Sequence, residues 1–297
     1  MSKRAKIITL ITILVIIIIA LVSFMIHSIS KKSFHIGRFL ISSNISTNLV
    51  YDETYENTFS KIQIESDSAD IKIKQSKDES IKIEIFSDEN DNNITVNSDN
   101  ELNVRLNAKA KFSLFQINNT NSQIIVSVPE NYDKNIKIVN HYGDVTVEEL
   151  MDSHLNINSD CGDIEIEKAK VVQAKNSYGD TIIHNADTIS VESDCGDIEV
   201  GTVKAMKVEN SYGDIEIKNI SESMDIVADC GDIDIDSVSL IKNSKIKSDF
   251  GDVSIENIKN VYVDAKVDFG EVSIKKNDRT ASVTLTIESD CGDVEVN

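Results

Sequence analysis

One phrase returns nine times in the second half of the chain and limits what it can fold into. It reads HYGDVTV at 141–147, DCGDIEI from Asp160, SYGDTII from Ser177, DCGDIEV from Asp194 and SYGDIEI from Ser211. It continues as DCGDIDI from Asp229, DFGDVSI from Asp249, DFGEVSI from Asp268 and DCGDVEV from Asp290. The glycines Gly143, Gly162, Gly179, Gly196, Gly213, Gly231, Gly251, Gly270 and Gly292 are separated by 19, 17, 17, 17, 18, 20, 19 and 22 residues. A sustained period near 18 marks a stack of equal units.

Successive strand residues face opposite ways. Leu155, Ile157, Ser159 and Cys161 therefore share a face, and Ile164 and Ile166 resume the alternation beyond Gly162. The same frame fits Met206, Val208, Asn210 and Tyr212, then Ile215 and Ile217. Strict alternation of β-branched residues excludes a helix, which needs apolar spacings of three and four. Each unit reads as a longer strand, a Gly-Asp corner, a shorter strand and a polar return. One unit cannot bury its apolar face alone, but stacked units form a continuous core. The expected fold class is all-β: a single-stranded parallel β-helix, or β-solenoid, of about 18 residues per coil, preceded by an N-terminal transmembrane helix.

Charge favours one unit per coil. With two, Asp160, Asp194 and Asp229 would stack about 4.8 Å apart and repel. With one, serine separates them and the row runs Tyr142, Cys161, Tyr178, Cys195, Tyr212, Cys230. Large over small lets layers interdigitate, a rule that relaxes at Phe250 and Phe269.

The order along the chain follows. Residues 1–6, with Lys3, Arg4 and Lys6, read as a cytoplasmic tail, and 7–30 as an uncharged transmembrane signal anchor. Residues 31–57 read as a stalk, 58–140 as an N-terminal β region and solenoid cap, and 141–297 as the Gly-Asp repeat solenoid. This order places the chain in the cell membrane, single-pass, with the C-terminal part extracellular. The membrane is then a partner through the N-terminal helix.

Composition bears on function. Hydrophobic residues make up 40% of the chain, aromatic residues 5%, and tryptophan is absent, which suits a repeat core of isoleucine and valine. Residues 141–297 hold 14 Lys+Arg against 34 Asp+Glu and so carry the whole net charge of −20. A nucleic-acid partner is excluded by that sign. The partner is instead an unknown protein or a cell-wall ligand.

The Asp after each glycine, at Asp144, Asp163, Asp180, Asp197, Asp214, Asp232, Asp252 and Asp293, has Glu271 in its place once. Such a column needs neutralising. Either each Asp accepts backbone amide bonds at the corner, or a hard cation such as Ca²⁺ lies between coils at a weak site made by these eight aspartates. No other cofactor is expected. Of Cys161, Cys195, Cys230 and Cys291, even the nearest pair falls two coils apart under one-unit coils, about 9.6 Å, beyond the reach of a disulfide. No catalytic residue stands out: His27, His35, His141, His154 and His184 are scattered and arginine is scarce, so the chain is expected not to be an enzyme. The chain stops one residue past Val296, and an uncovered sheet end invites pairing, so self-association through the C-terminal coil is expected.

The nine Gly-Asp units, the preceding IQIESDSADIKI with Ala69 at the glycine position, the element IIVSVPENYDKNIKI and the N-terminal span together resemble a known group. It is the bacterial "putative adhesin" family of β-strand repeats, a domain of unknown function common in membrane-anchored envelope proteins of Gram-positive bacteria. The resemblance covers residues 58–297 and implies a right-handed, toast-rack-like β-helix. It implies a membrane-anchored module for adhesion, scaffolding or envelope-stress signalling, without catalytic activity and with no ligand-binding residue to carry over. The alternatives kept open are a calcium-binding surface solenoid and, more remotely, a carbohydrate-active β-helix enzyme.

Overall fold

A computed structural model describes residues 48–87, 92–108, 112–113, 116–117 and 122–297. Each Gly-Asp unit makes one circuit of two strand faces. The face before the corner stacks Ile138, Ile157, Ala174, Val191, Val208, Ile226 and Ile246 as successive parallel partners. The face after it stacks Ile73, Val147, Ile166, Ile183, Val200, Ile217, Ile235 and Ile255 in the same way. These positions are buried, and the alternate ones point to solvent. Period-two patterning thus becomes one continuous core between the two faces of a single wound sheet.

At the foot of the stack the outermost pairs turn antiparallel. Lys61–Ser66 lies beside Asn135–Tyr142 on one side and Leu102–Ala108 on the other, and Leu102–Ala108 pairs with Asn92–Ser98. On the other face Asp70–Ser76 is followed by Gln123–Pro129, then Ser80–Ser87, then Asn48–Glu56. Asn48–Glu56, in the stretch read as stalk, is therefore a sheet strand.

The far end departs from chain order. Ser244–Phe250 pairs not with the next unit but with the last, Thr284–Cys291, and Tyr262–Phe269 pairs with the outer side of Thr284–Cys291. Val253–Ile258, Val294–Val296 and Val272–Ile274 repeat that order on the second face. The final segment is inserted between its two predecessors. Its inward residues Leu285, Ile287, Val294 and Val296 are at most 1% exposed, while Phe269 and Val272 of the outermost coil are 76% and 43% exposed. The better core-former lies inside. The expected self-association through the C-terminal coil is corrected on this ground: that coil is covered on both sides by this chain.

No helix long and apolar enough to cross a membrane occurs among the described residues, which are strand, turn and bend throughout. The fold class is corrected accordingly to an all-β solenoid without the transmembrane helix. The span expected at 7–30, like the tail at 1–6, lies outside the described residues. The signal anchor, the membrane as a partner and the single-pass location find no support here and are set aside.

Candidate functional site

The corner is the element that repeats most closely. All nine corner glycines have positive φ, from 116° at Gly143 to 153° at Gly270. A Cβ there would also collide with the carbonyl oxygen of the coil beneath, Gly179 O in the case of Gly196. Only glycine satisfies both demands. Ala69 stands at the foot, where the first corner begins the column.

The aspartates form a ladder. The amide of Asp144 donates to Oδ1 of Asp70 at 3.1 Å, and that of Asp163 to Asp144 at 3.0 Å. The bonds continue from Asp180 to Asp163, Asp197 to Asp180, Asp214 to Asp197 and Asp232 to Asp214 at 2.8–3.0 Å. Asp252 donates to Asp232 at 2.8 Å and Asp293 to Asp252 at 2.7 Å. Glu271 closes the series by donating to Asp293 at 2.8 Å. Glu271 sits in the outermost coil, where no later amide needs its carboxylate. The single departure from Asp therefore falls at the one corner that supports nothing above it.

Stacking carboxylates has an electrostatic consequence. Burial pushes the Asp197 carboxyl above its ordinary value; the amide of Asp214 opposes this, and the charges of Asp180 and Asp214 add to it. Asp70 is raised in the same way, first by burial.

Asparagine completes the corner. Asn176 Nδ2 donates to Gly162 O at 3.1 Å and Gly179 O at 2.9 Å. Asn140 serves Ala69 and Gly143, and Asn210 serves Gly196 and Gly213. One side chain satisfies two coils, so the intervening coils carry Ser159 and Ser193 instead, whose hydroxyls find no partner among the described residues. Sequence reasoning missed this role. Its signal was the alternation of Asn-x-Tyr-Gly-Asp with Ser-x-Cys-Gly-Asp.

Next to the corner lies an exposed row. In spatial order it reads Tyr142, Cys161, Tyr178, Cys195, Tyr212, Cys230, Phe250, Cys291, Phe269. The insertion makes the aromatic–cysteine alternation unbroken. The rings of Tyr142, Tyr178 and Tyr212 are each 61% exposed, and the cysteines are half-buried and free. The bend into the corner turns this position outward, although strand parity assigns it to the core face.

Beside the row runs a column of Asp160, Ser177, Asp194, Ser211 and Asp229. A shallow open depression of about 160 Å³ lies there, its lining including Glu192, Asp194, Glu209, Ser211, Val227 and Asp229. On the second face the donor atoms of Glu165, Glu167 and His184 lie within 4.8 Å of one another, an exposed group with ligand types suited to a divalent cation. The eight corner aspartates are brought into one column, each but the last-stacked Asp293 accepting the amide of a following Asp, and Asp293 that of Glu271.

No similar sequence was found among curated proteins. Among solved structures, a "putative adhesin" from Bacteroides fragilis is 17% identical, with TM-score 0.42, over 81% of this chain and 96% of its own. A "putative lipid binding protein" from Parabacteroides distasonis is 16% identical, with TM-score 0.40, over 83% and 97%. A "putative cell adhesion protein" from Clostridium sporogenes is 11% identical, with TM-score 0.24, over 83% and 98%. The family model described as Toastrack DUF4097 matches residues 59–296. Each corner aspartate is committed to a backbone amide of the next coil. From the strand before the first corner to the last core valine, the chain belongs to the Toastrack DUF4097 family.

Proposed function

We propose that the protein is a non-catalytic scaffold whose rigid, acidic solenoid surface holds a partner in adhesion or assembly. The observation that supports this reading is the unbroken amide–carboxylate ladder, which fixes every outward side chain at a constant interval along the stack. A surface carrying 34 acidic against 14 basic residues over 141–297 attracts cationic partners and repels anionic polymers. Passing the full chain over immobilised polylysine and over an immobilised polyanion tests it. Retention on the polycation alone, weakened by salt, is expected. Turnover of a glycan by the purified protein, abolished by one carboxylate change, would overturn it.

A second reading, uptake of Ca²⁺ along the corner aspartates, is supported by the raised carboxyls of Asp70 and Asp197, held up first by burial and then by the charges of their neighbours, Asp144 for the one and Asp180 and Asp214 for the other, a repulsion that a cation would relieve. Melting the protein with chelator and with millimolar calcium tests it. A raised midpoint in calcium is expected, and an unchanged one rules it out.

A further inference from the structure

The exposed row and the column beside it form cells of fixed composition. Tyr178 has Ser177 next to it, with Asp160 and Asp194 in the coils on either side. Tyr212 has Ser211, with Asp194 and Asp229 on either side. In each cell the small serine lies between two carboxylates and next in sequence to an exposed ring; at Ser211 a depression of about 160 Å³ opens between Asp194 and Asp229 on the side of Glu192 and Glu209, and the Tyr212 ring is not part of its lining. Neither Asp194 nor Asp229 makes an ion pair among the described residues, whereas Glu192 and Glu209 on the outer rim are paired with Lys175 and Lys207.

Elsewhere the chain supplies nitrogen to the same column itself. In the Tyr142 coil His141 replaces the serine and its Nδ1 bonds Asp160. In the Phe250 and Phe269 coils Lys247 pairs with Asp249 at 2.6 Å and Lys266 with Asp268 at 2.9 Å. In the Tyr178 cell Asp160 is already bonded by His141, which leaves Asp194 open; the Tyr212 cell holds Asp194 and Asp229, neither of them ion-paired, with the charge of Lys247 acting on Asp229 from the next coil. A ring face and two carboxylates are together suited to one cationic side chain, held by cation–π attraction and charge.

We propose that the Tyr178 and Tyr212 cells form a docking site for an extended basic peptide carrying Lys or Arg at every third residue. The cells are two coils apart, about 9.6 Å. A polyproline II chain rises about 3.1 Å per residue, so three residues span about 9.3 Å and return a side chain to the same side. Spacings of two or four residues would miss the second cell by about 3 Å. The inference rests on the scaffold reading and specifies its partner.

The test titrates the full chain with three synthetic proline-rich peptides bearing the same number of lysines, placed at every second, third or fourth residue. Calorimetry reads the affinity. The every-third peptide is expected to bind most tightly. The double variant Tyr178→Ser/Tyr212→Ser should weaken it about 5- to 30-fold and erase the spacing preference. Both rings are exposed, so the variant's melting curve should match the parent's. Asp194→Asn, which serves both cells, should weaken binding in the same direction. Equal affinity for the three peptides, no binding of any, an unaffected double variant, or tighter binding of an amino-glycan such as chitosan would each overturn the inference. Spacing-blind, salt-sensitive binding would do so while leaving the scaffold reading intact, because that reading requires only attraction to a polycation.

Discussion

At a corner, a single aspartate does two opposed things: its Oδ1 accepts the amide of the next coil, and its charge repels the carboxylates above and below. Asp197 separates them experimentally. Asp197→Asn keeps an acceptor oxygen and removes the charge, so stability at pH 7 should be unchanged or higher. Asp197→Ala leaves the Asp214 amide without its acceptor and should cost about 1–2 kcal/mol in denaturant unfolding. The paired prediction for the inner column is that Asn176→Ala, which releases two glycine carbonyls, costs about 1–3 kcal/mol, while Ser193→Ala is nearly neutral because that hydroxyl has no partner among the described residues. The glycines were legible in the sequence because a positive-φ corner admits no other residue and so recurs at each unit. The asparagines were not: their role spans two coils, so it appears at every second unit and is diluted by the serines between.

The strand elements and their facing were readable from parity, because β-branched alternation has only one stable reading in a stacked sheet. The position of the last element was not, since reading a repeat in chain order assumes that neighbours in sequence are neighbours in space. Two irregularities carried the information: Phe250 followed by Phe269, and Glu271 one unit before the end. Both vanish once Cys291 is placed between the two phenylalanines. Phe250→Cys in a Cys230→Ser background tests this placement, because Cys230 flanks residue 250 on its other side. Adjacent parallel strands bring Cα atoms to about 4.8 Å, inside the disulfide range. Peptide mapping after mild oxidation should therefore find a 250–291 bridge. Chain-order stacking would give none.

For the whole molecule, charge sets the response to pH. Asp70, Asp197, Asp234 and Glu199 are all held above their ordinary values, in each case first by burial, with neighbouring carboxylates adding. Each binds a proton more readily folded than unfolded. Their contribution to stability is thus complete below the unfolded values and is lost as pH rises through the folded ones. Glu288 and Glu295, lowered first by side-chain bonds from Lys245 and Lys275, and Asp278, lowered by Thr280, act in the opposite sense and only at more acid pH. The melting temperature should rise as the pH is lowered from neutrality toward the ordinary carboxylate range. A fall over that interval would mean the column is not stacked as described.

The rise per unit tests the architecture most directly. With Cys195 and Cys230 replaced by serine, spin labels on Cys161 and Cys291 are separated by six coil-to-coil steps through Tyr178, Cys195, Tyr212, Cys230 and Phe250. At about 4.8 Å per step, pulsed electron–electron resonance should return a backbone separation of about 29 Å. A value of about 14 Å, as two units per coil would give, would contradict the one-unit coil on which the ladder, the alternating row and the docking cells all depend.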